Sequence, residues 1–406
     1  MARSRRKQRR PALRGLFART FGILLGIAVA GAGIVAMQEP WVHKPASVYV
    51  AFHSIPTTVT SAIAWPSVGS AAIDIPSLHV AESHDNTVVP IASLTKMMTV
   101  YVALQHLPLS IGETGPCHVV TSDDVETFQS MSQIDESSVP VKVGEQLCES
   151  DLLEGVLVHS AGNYAVMLAN MVAGTNDAFI ALMNEDAQTL GLTSTSYSDV
   201  TGYSPLSVST AFDQVRLAAL IMQSALVRSI VIQTSVTLPF AGTQASFTPD
   251  VGIDNVIGVK SGRTLAAGGC DAMAMTFEDG TVTHVAYVVV LGQRGGDLLT
   301  PAGEAALALA NSAVAGRVHY TLYANRALGE IAYPSVRVGY GLTKSHEFWW
   351  WPAQHITIQV HTKRLTGTIH RGEVVGSLVL SGAVSRTYAL RAYGDLSPPS
   401  LFERLR

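Results

Sequence analysis

The sequence is poor in charge and in cysteine, and both shortages narrow what the protein can be. Only 14% of its 406 residues are charged, and the formal net charge is −4. Such a balance gives no overall attraction to nucleic acid, and past the N-terminus no cluster of lysine and arginine supplies a local one. The cysteines are Cys117, Cys148 and Cys270, without metal-ligand spacing. These absences argue against a nucleic-acid-binding protein and against a cysteine-ligated zinc site.

Hydrophobic residues, by contrast, make up 48% of the chain. At this length and composition the protein can hold one large domain with a substantial core, together with a smaller domain. We find no internal repeat.

Charge is segregated strongly at the N-terminus. Residues 1–19 carry eight lysines and arginines and no acid, whereas residues 20–37 carry no charge. This apolar stretch is at the short end of what spans a bilayer, about 17–25 residues. The positive-inside rule then predicts a basic cytoplasmic tail, a single transmembrane anchor and an extracytoplasmic remainder. The alternative is a signal peptide cleaved near Ala28-Val29-Ala30, which would leave the protein secreted.

The predicted location outside the cytoplasm affects the expected redox state of two of the cysteines. In an oxidising compartment Cys117 and Cys148 can form a disulfide. Two free, buried thiols are an equally good interpretation, so both alternatives stay open at this point.

Hydrophobic periodicity predicts the domain organisation. Strand patterns at 70–83 and 255–291 flank a helical block, and an Ala/Leu-rich helix covers 300–316. This order is typical of an α+β domain in which one antiparallel sheet lies beside a helical cluster. Alternating strands after about residue 320 predict a small all-β domain. The predicted boundaries are a tether at 38–68, the α+β domain at 69–320, the β domain at 321–395 and a tail at 396–406.

Three short elements carry candidate chemistry. Ser93 and Lys96 stand three residues apart at the start of a predicted helix, so their side chains share one face. Alone they would be a helix N-cap and a lysine that reaches toward water. Ser160, in a turn between helices, and Lys260, on a strand, supply the partners of a nucleophilic serine.

The chemistry of such a site depends on a base. A serine attacks only if a neighbouring group takes its proton, and a neutral lysine can do so. Burial and the second cation, Lys260, both favour the neutral form of Lys96. Lys260 would also attract a substrate carboxylate, and Ser160 would relay a proton to the leaving group. Gly262 allows an extended peptide to approach the strand edge.

These elements resemble the D-alanyl-D-alanine carboxypeptidases, the low-molecular-weight penicillin-binding proteins of serine peptidase family S11. The likeness rests on Pro90–Thr99, Ser209–Asp213 and Gly258–Cys270, and it covers about residues 65–320. It implies a β-lactamase/transpeptidase-like fold followed by a β domain. It also implies removal of the terminal D-Ala from peptidoglycan stem peptides outside the bacterial membrane. No metal or organic cofactor is expected, and β-lactams are expected to be covalent inhibitors.

Carried over residue by residue, the resemblance makes Ser93 the acyl-ester nucleophile and Lys96 the proton acceptor. Ser160 becomes the second-motif serine, and Lys260 binds the substrate carboxylate. Ser261 and Gly262 complete the third motif, with Ser261 in place of the usual threonine.

The second motif departs from the family pattern. The family has asparagine two residues after the serine, and this sequence has Gly162 there. Either Asn163, one residue later, turns into the site and binds substrate, or the site lacks that amide. His159, Arg294 and Asp213 are interpreted as structural or solvated groups.

Two other functions stay open. A β-lactamase or esterase would share the fold and the nucleophile, although the sequence offers no glutamate convincingly placed for deacylation. A catalytically impaired peptidoglycan-binding protein is the other alternative, and Gly162 is its one argument.

Overall fold

The computed structural model describes residues 63–279, 282–333, 336–350, 356–363, 365, 367–382 and 385–398. The predicted basic tail and membrane segment, most of the tether and the end of the tail lie outside these residues. The described chain divides into a larger unit, mainly residues 63–319, and a smaller unit, mainly residues 320–348 and 356–398.

The larger unit combines helices with short and long strands, and its elements are numbered in chain order. Its helices are α1 (Thr95–His106), α2 (Ser122–Gln133), α3 (Glu149–Leu157), α4 (Gly162–Ala173), α5 (Asn176–Thr189), α6 (Ala211–Ile221), α7 (Ala225–Val231) and α8 (Leu299–Ala315). Its strands are β1 (Ser70–Ile75), β2 (Val80–His84), β3 (Val89–Pro90), β4 (Cys117–Val119), β5 (Gln146–Cys148), β6 (Val208–Ser209), β7 (Ser235–Leu238), β8 (Gly242–Ala245), β9 (Val256–Thr264), β10 (Gly268–Asp279) and β11 (Val282–Gln293).

An antiparallel sheet of five strands lies at the centre of the larger unit, in the order β2-β1-β11-β10-β9. Each neighbouring pair runs antiparallel, as the pattern at 255–291 predicts for its last three strands. The strand β9, which carries the third motif, lies at one edge of this sheet. That edge position leaves one side of the motif free to meet another element.

Side chains alternate between the two faces of the sheet along each strand, and in the inner strands β1 and β11 both faces are buried. On one face Ile73, Met273 and Val288 pack with the small residues of α8. On the other face Ala72 and Val289 pack with the helical cluster. This double burial explains the continuous apolar run of β11, since neither face of that strand meets water.

Helix α1 lies inside the helical cluster and is buried on nearly all sides. Met97, Met98 and Val100 are fully buried within it. A lysine in the first turn of such a helix is therefore carried into the interior of the protein.

A disulfide joins Cys117 to Cys148, which settles the alternative left open by the sequence. The two residues lie opposite each other in the paired strands β4 and β5. The bond closes a loop that contains α2 and the segment that follows it. Cys270 is buried and free.

The smaller unit is composed of strands among its described residues. These are β12 (Val318–Leu322), β13 (Ala327–Ala332), β14 (Arg337–Gly341), β15 (His346–Trp350), β16 (Ile356–Thr362), β17 (Val374–Gly382) and β18 (Arg386–Ala392). Five of them form a sheet in the order β13-β14-β18-β17-β16, and β12 pairs with β15. The boundaries 321–395 of an independent domain stay a prediction.

Within the described ranges, no single helix has both the length and the apolar composition needed to cross a membrane. Two bent pairs, α4 with α5 and α6 with α7, meet that test only when each pair is taken together.

We expect the Cys117–Cys148 bond to stabilise the larger unit. Replacing both cysteines with serine should lower the free energy of unfolding by about 3–4 kcal/mol, because the open chain regains the freedom of a loop of about 30 residues. Urea titration of both proteins measures this difference. A reducing agent should destabilise the wild type and leave the double variant unchanged. An unchanged unfolding midpoint of the reduced wild type would contradict the prediction.

Candidate active site

Ser93 lies in a tight turn directly before α1. It is the middle residue of the 3₁₀ turn Ala92–Leu94, and Ala92 adopts a left-handed conformation with φ of 48°. A non-glycine residue in that region costs about 1–2 kcal/mol, and strain of this kind is concentrated at functional sites. Ser93 does not cap the helix, which is the role it would have if the motif stood alone: Leu94 is the N-cap residue, and no side chain caps it. The Ser93 hydroxyl is therefore available for another partner.

That partner is Lys96. Its Nζ lies 3.0 Å from Ser93 Oγ and donates to Thr201 O at 2.8 Å. The side chain is buried, and burial lowers the pKa of Lys96 from 10.5 to about 8, although the Glu136 and Asp199 carboxylates oppose this shift. At pH 7 about a tenth of Lys96 is then neutral, far more than for a lysine in water. A base of this kind can take the serine proton.

The edge strand β9 runs directly against Ser93. A Cβ added at Gly262 would lie 2.5 Å from Ser93 N and 3.0 Å from Ser93 Cα. Only glycine permits this approach, because no side chain fits in the gap. Ser261, the residue before it, donates its hydroxyl to Phe247 O at 2.6 Å.

Lys260 lies deeper than the other third-motif residues. It is fully buried, and its Nζ donates to Ser261 O at 2.7 Å. Burial, followed by the charge of Lys96, holds the pKa of Lys260 well below its ordinary value, and Asp271 opposes this. Ser261 and Gly262, rather than Lys260, line the cavity at Ser93.

Ser160 lies in the turn between α3 and α4 and shares a cavity with Ser93. Its backbone is left-handed, with φ of 63°, and its side chain is buried. Its Oγ has no hydrogen-bond partner among the described residues. Ser160 lines a small cavity of about 30 Å³ together with Ser93, Ser261 and Gly262. An unsatisfied buried hydroxyl calls for an explanation, and a partner that arrives with a ligand provides one.

Asn163 does not face this cavity, which corrects the expectation that it binds substrate. The residue is fully buried in the first turn of α4. Its Oδ1 accepts from Val139 N at 3.1 Å, and its Nδ2 donates to Val139 O at 2.8 Å. Both ends of the amide are thus used within the fold. Gly162 stands in the position of the family's asparagine, and the site lacks that amide.

Other groups that the sequence analysis did not single out also reach the site. A cavity of about 250 Å³ opens at Ser93, and its lining includes Glu136, Tyr203, Phe247 and Arg263. Glu136 comes from the long mixed segment after α2, which shows no clear period and no motif. Only the folded chain brings that segment to the motif residues. Arg263, next to the third motif, could have been found by extending that motif by one residue.

The residues interpreted as structural have partners that fit that interpretation. His159 Nδ1 lies 2.9 Å from Ala245 O, and its ring stacks on Phe247. Asp213 accepts from Ser194 N at 2.9 Å at the start of α6. The Arg294 guanidinium donates to Leu265 O at 3.3 Å.

The arrangement can perform acyl transfer. It joins the Ser93 hydroxyl, the buried Lys96 amine that contacts it and the Ser160 hydroxyl, beside the edge strand β9. These are the parts that serine nucleophilic catalysis with a lysine base needs. The predicted residues Ser93, Lys96, Ser160, Ser261 and Gly262 are therefore brought together.

Comparison with known sequences agrees with the motifs. The profile of the D-alanyl-D-alanine carboxypeptidase family, peptidase S11, matches residues 71–294. The D-alanyl-D-alanine endopeptidase of Pseudomonas aeruginosa is 36% identical over 137 residues, which are 32% of this chain and 39% of that protein. The D-alanyl-D-alanine carboxypeptidase DacC of Escherichia coli is 35% identical over 139 residues, 34% of each chain. The chain thus spans well under half the length of these relatives.

The fold is also shared with a solved structure. Penicillin binding protein 5 from Haemophilus influenzae superposes with a TM-score of 0.57 at 20% identity, over 81% of this chain and 97% of that chain. This confirms the α+β, transpeptidase-like fold of the larger unit. Because the family profile covers more than half of the sequence, the chain belongs to the D-alanyl-D-alanine carboxypeptidase family, peptidase family S11.

Proposed function

We propose that the protein is a serine-type D-alanyl-D-alanine carboxypeptidase that removes the terminal D-Ala from peptidoglycan stem peptides. The observation that carries this proposal is the buried Lys96 amine, 3.0 Å from Ser93 Oγ. If this position in the apolar helical cluster were needed only for packing, a methionine would serve better than a lysine. Its burial is understandable if its proton affinity is used.

In the proposed reaction, neutral Lys96 takes the proton of Ser93 as Oγ attacks the carbonyl carbon of the penultimate D-Ala. The peptide bond then breaks, and the leaving D-Ala amine receives a proton relayed through Ser160. The acyl-ester on Ser93 is finally hydrolysed by water. The proton that Lys96 takes from Ser93 in the first step thereby ends on the amine of the leaving D-Ala.

Substrate binding is assigned to the edge of β9. An extended peptide can add to this edge through its backbone, and Gly262 keeps the approach to Ser93 open. Arg263 lines the cavity, and we assign it a share in holding the terminal carboxylate. The buried Lys260 adds positive charge to this binding site, because an arriving carboxylate favours the protonated form of the lysine.

The relatives leave the cleaved bond open, since they include proteins named carboxypeptidase and proteins named endopeptidase. The terminal D-Ala bond is our first choice because Arg263 offers a cation for a free carboxylate. A β-lactamase is the second candidate, favoured by the Glu136 carboxyl in the lining of the cavity. A catalytically impaired binding protein is disfavoured by the intact pair of Ser93 and Lys96.

We further propose that the enzyme acts outside the bacterial membrane and is held there by residues 20–37. The basic and then apolar N-terminus supports this placement. The Cys117–Cys148 disulfide supports it as well, since structural disulfides persist mainly in oxidising compartments.

Ser93 should be the residue that a penicillin acylates. Incubation of the full-length chain with a fluorescent penicillin should label the wild type at Ser93, and Ser93→Ala should abolish the label because the attacking oxygen is gone. Peptide mass spectrometry locates the label. Ser132→Ala, an exposed serine of the same cavity, should label like the wild type. An unlabelled wild type would overturn the proposed function, and rapid loss of label would favour a β-lactamase.

The acylation rate should rise with pH. Lys96 acts as a base only when neutral, and its neutral form increases as pH rises through about 8. We expect the rate of penicillin labelling to rise about tenfold per pH unit below that value and to level off above it. Labelling reactions quenched at successive times between pH 6 and 9.5 measure this rate, and Lys96→Ala should abolish labelling. The exposed Lys142 provides a control, since Lys142→Ala should keep the profile. A flat profile for the wild type would rule out Lys96 as the base.

A further inference from the structure

Gly162 leaves a space in the site, and a carboxyl group fills it. A Cβ added at Gly162 would lie 2.9 Å from Glu136 Oε1. The side chain that the family places at this position would therefore occupy the space that the Glu136 carboxyl now holds. This chain therefore has a carboxyl group in the space where the family has an amide.

The Glu136 carboxyl is built into the cavity. It lines the same cavity of about 250 Å³ as Ser93. Its Oε1 is buried and has no hydrogen-bond partner among the described residues. A buried, unsatisfied carboxyl oxygen is costly, so its place in this cavity calls for a partner that comes and goes. A water molecule or a substrate group fits that requirement.

The backbone around Glu136 is held firmly. Helix α2 ends where Asp135 adopts a left-handed conformation, with φ of 57°, and this turns the chain back toward α4. Gly162 N donates to Ser137 O at 2.7 Å. Asn163 then clamps both backbone groups of Val139. Residues 135–139 are thus fixed along the start of α4, and Glu136 is aimed by that fixation.

The charges around Glu136 suit an acid–base group. Burial raises the pKa of Glu136, the Thr201 hydroxyl and the Lys96 ammonium oppose this shift, and the Asp199 carboxylate adds to it. A raised pKa brings a carboxyl closer to neutral pH, where a general base works best. Asp135 and Arg263 face the same cavity from its rim.

We propose that Glu136 is the general base for hydrolysis of the acyl-enzyme, in the place where the family carries an amide. The proposal rests on the proposed function, since it concerns the second half of that reaction. Lys96 activates Ser93 in the first half, and Glu136 activates water in the second. The two bases come from different elements: Lys96 contacts Ser93 from α1, and Glu136 lines the cavity from the segment after α2.

The step balances as follows. A water oxygen attacks the carbonyl carbon of the ester on Ser93, and the water gives one proton to the Glu136 carboxylate. The bond between that carbon and Ser93 Oγ then breaks. Glu136 returns its proton to Oγ, so the free serine and the carboxylic acid product are released. No oxidant, reductant or further reactant is needed.

Glu136→Gln separates a base from a space-filling group, because the amide keeps the shape and loses the proton acceptor. During turnover of a D-Ala-D-Ala peptide, intact mass spectrometry after acid quench should show the acyl-enzyme accumulating on this variant. Hydrolysis of the acyl-enzyme should slow about 100-fold. Penicillin acylation should not slow, since loss of the carboxylate favours neutral Lys96. Hydrolysis within threefold of the wild-type rate would overturn the proposal.

Two further variants guard against a folding artefact. Glu126→Gln makes the same chemical change at an exposed residue of α2 outside the cavity, and it should leave hydrolysis within about twofold of wild type. Gly162→Ala adds a Cβ that pushes the Glu136 carboxyl aside, so it should slow hydrolysis although Glu136 is intact. If Gly162→Ala and Glu136→Gln both acylate and hydrolyse normally, Glu136 is not the base. If the wild type is never acylated, the proposed function itself fails, whatever Glu136 does.

Discussion

The burial of one amine beside one hydroxyl is the constraint on which this site depends. Lys96 sits in the first turn of a helix that is surrounded by apolar side chains, and it is held by Ser93 Oγ and Thr201 O. Lowering a lysine pKa from 10.5 to about 8 costs the folded state about 3 kcal/mol at neutral pH. Because the unfolded chain binds more protons between these values, stability rises with pH from about 8 to about 10.5. The fold bears this cost at the position where a neutral lysine is useful.

The rest of the site is arranged around that pair by close approach. Gly262 lets the edge strand lie against Ser93, and Gly162 lets the segment after α2 lie against α4. Each glycine removes a side chain where two backbones or a backbone and a functional group must meet. Polar residues therefore supply the chemistry. The two glycines, which have no side chain, leave room for the other elements to approach these polar residues.

The sequence was sufficient for the motif residues and for the sheet. Ser93, Lys96, Ser160 and Gly262 belong to short local patterns, which can be recognised without knowledge of the fold. The apolar runs of β10 and β11 were likewise readable. Such patterns report burial, and in the inner strands of this sheet both faces are buried.

Other features depend on contacts between distant segments, which no local pattern records. Asn163 stands beside the motif, yet its amide bonds to Val139, 24 positions earlier in the chain. Glu136 stands in a segment without periodicity and reaches the cavity because α2 ends in a left-handed turn at Asp135. The partner of Cys117 is set by the pairing of β4 with β5. In each case the outcome was decided by tertiary structure rather than by the residue's neighbours in sequence.

The disulfide has a consequence for how this family member can vary. The bond between Cys117 and Cys148 joins the two ends of a segment that contributes one wall of the active-site cavity. A segment whose ends are tied together can change its interior residues while keeping its points of attachment to the fold. Substitutions at the cavity-facing residues of this segment can therefore alter the chemistry opposite Ser93, while its core residues, such as Val139 and Leu147, keep it packed against the fold.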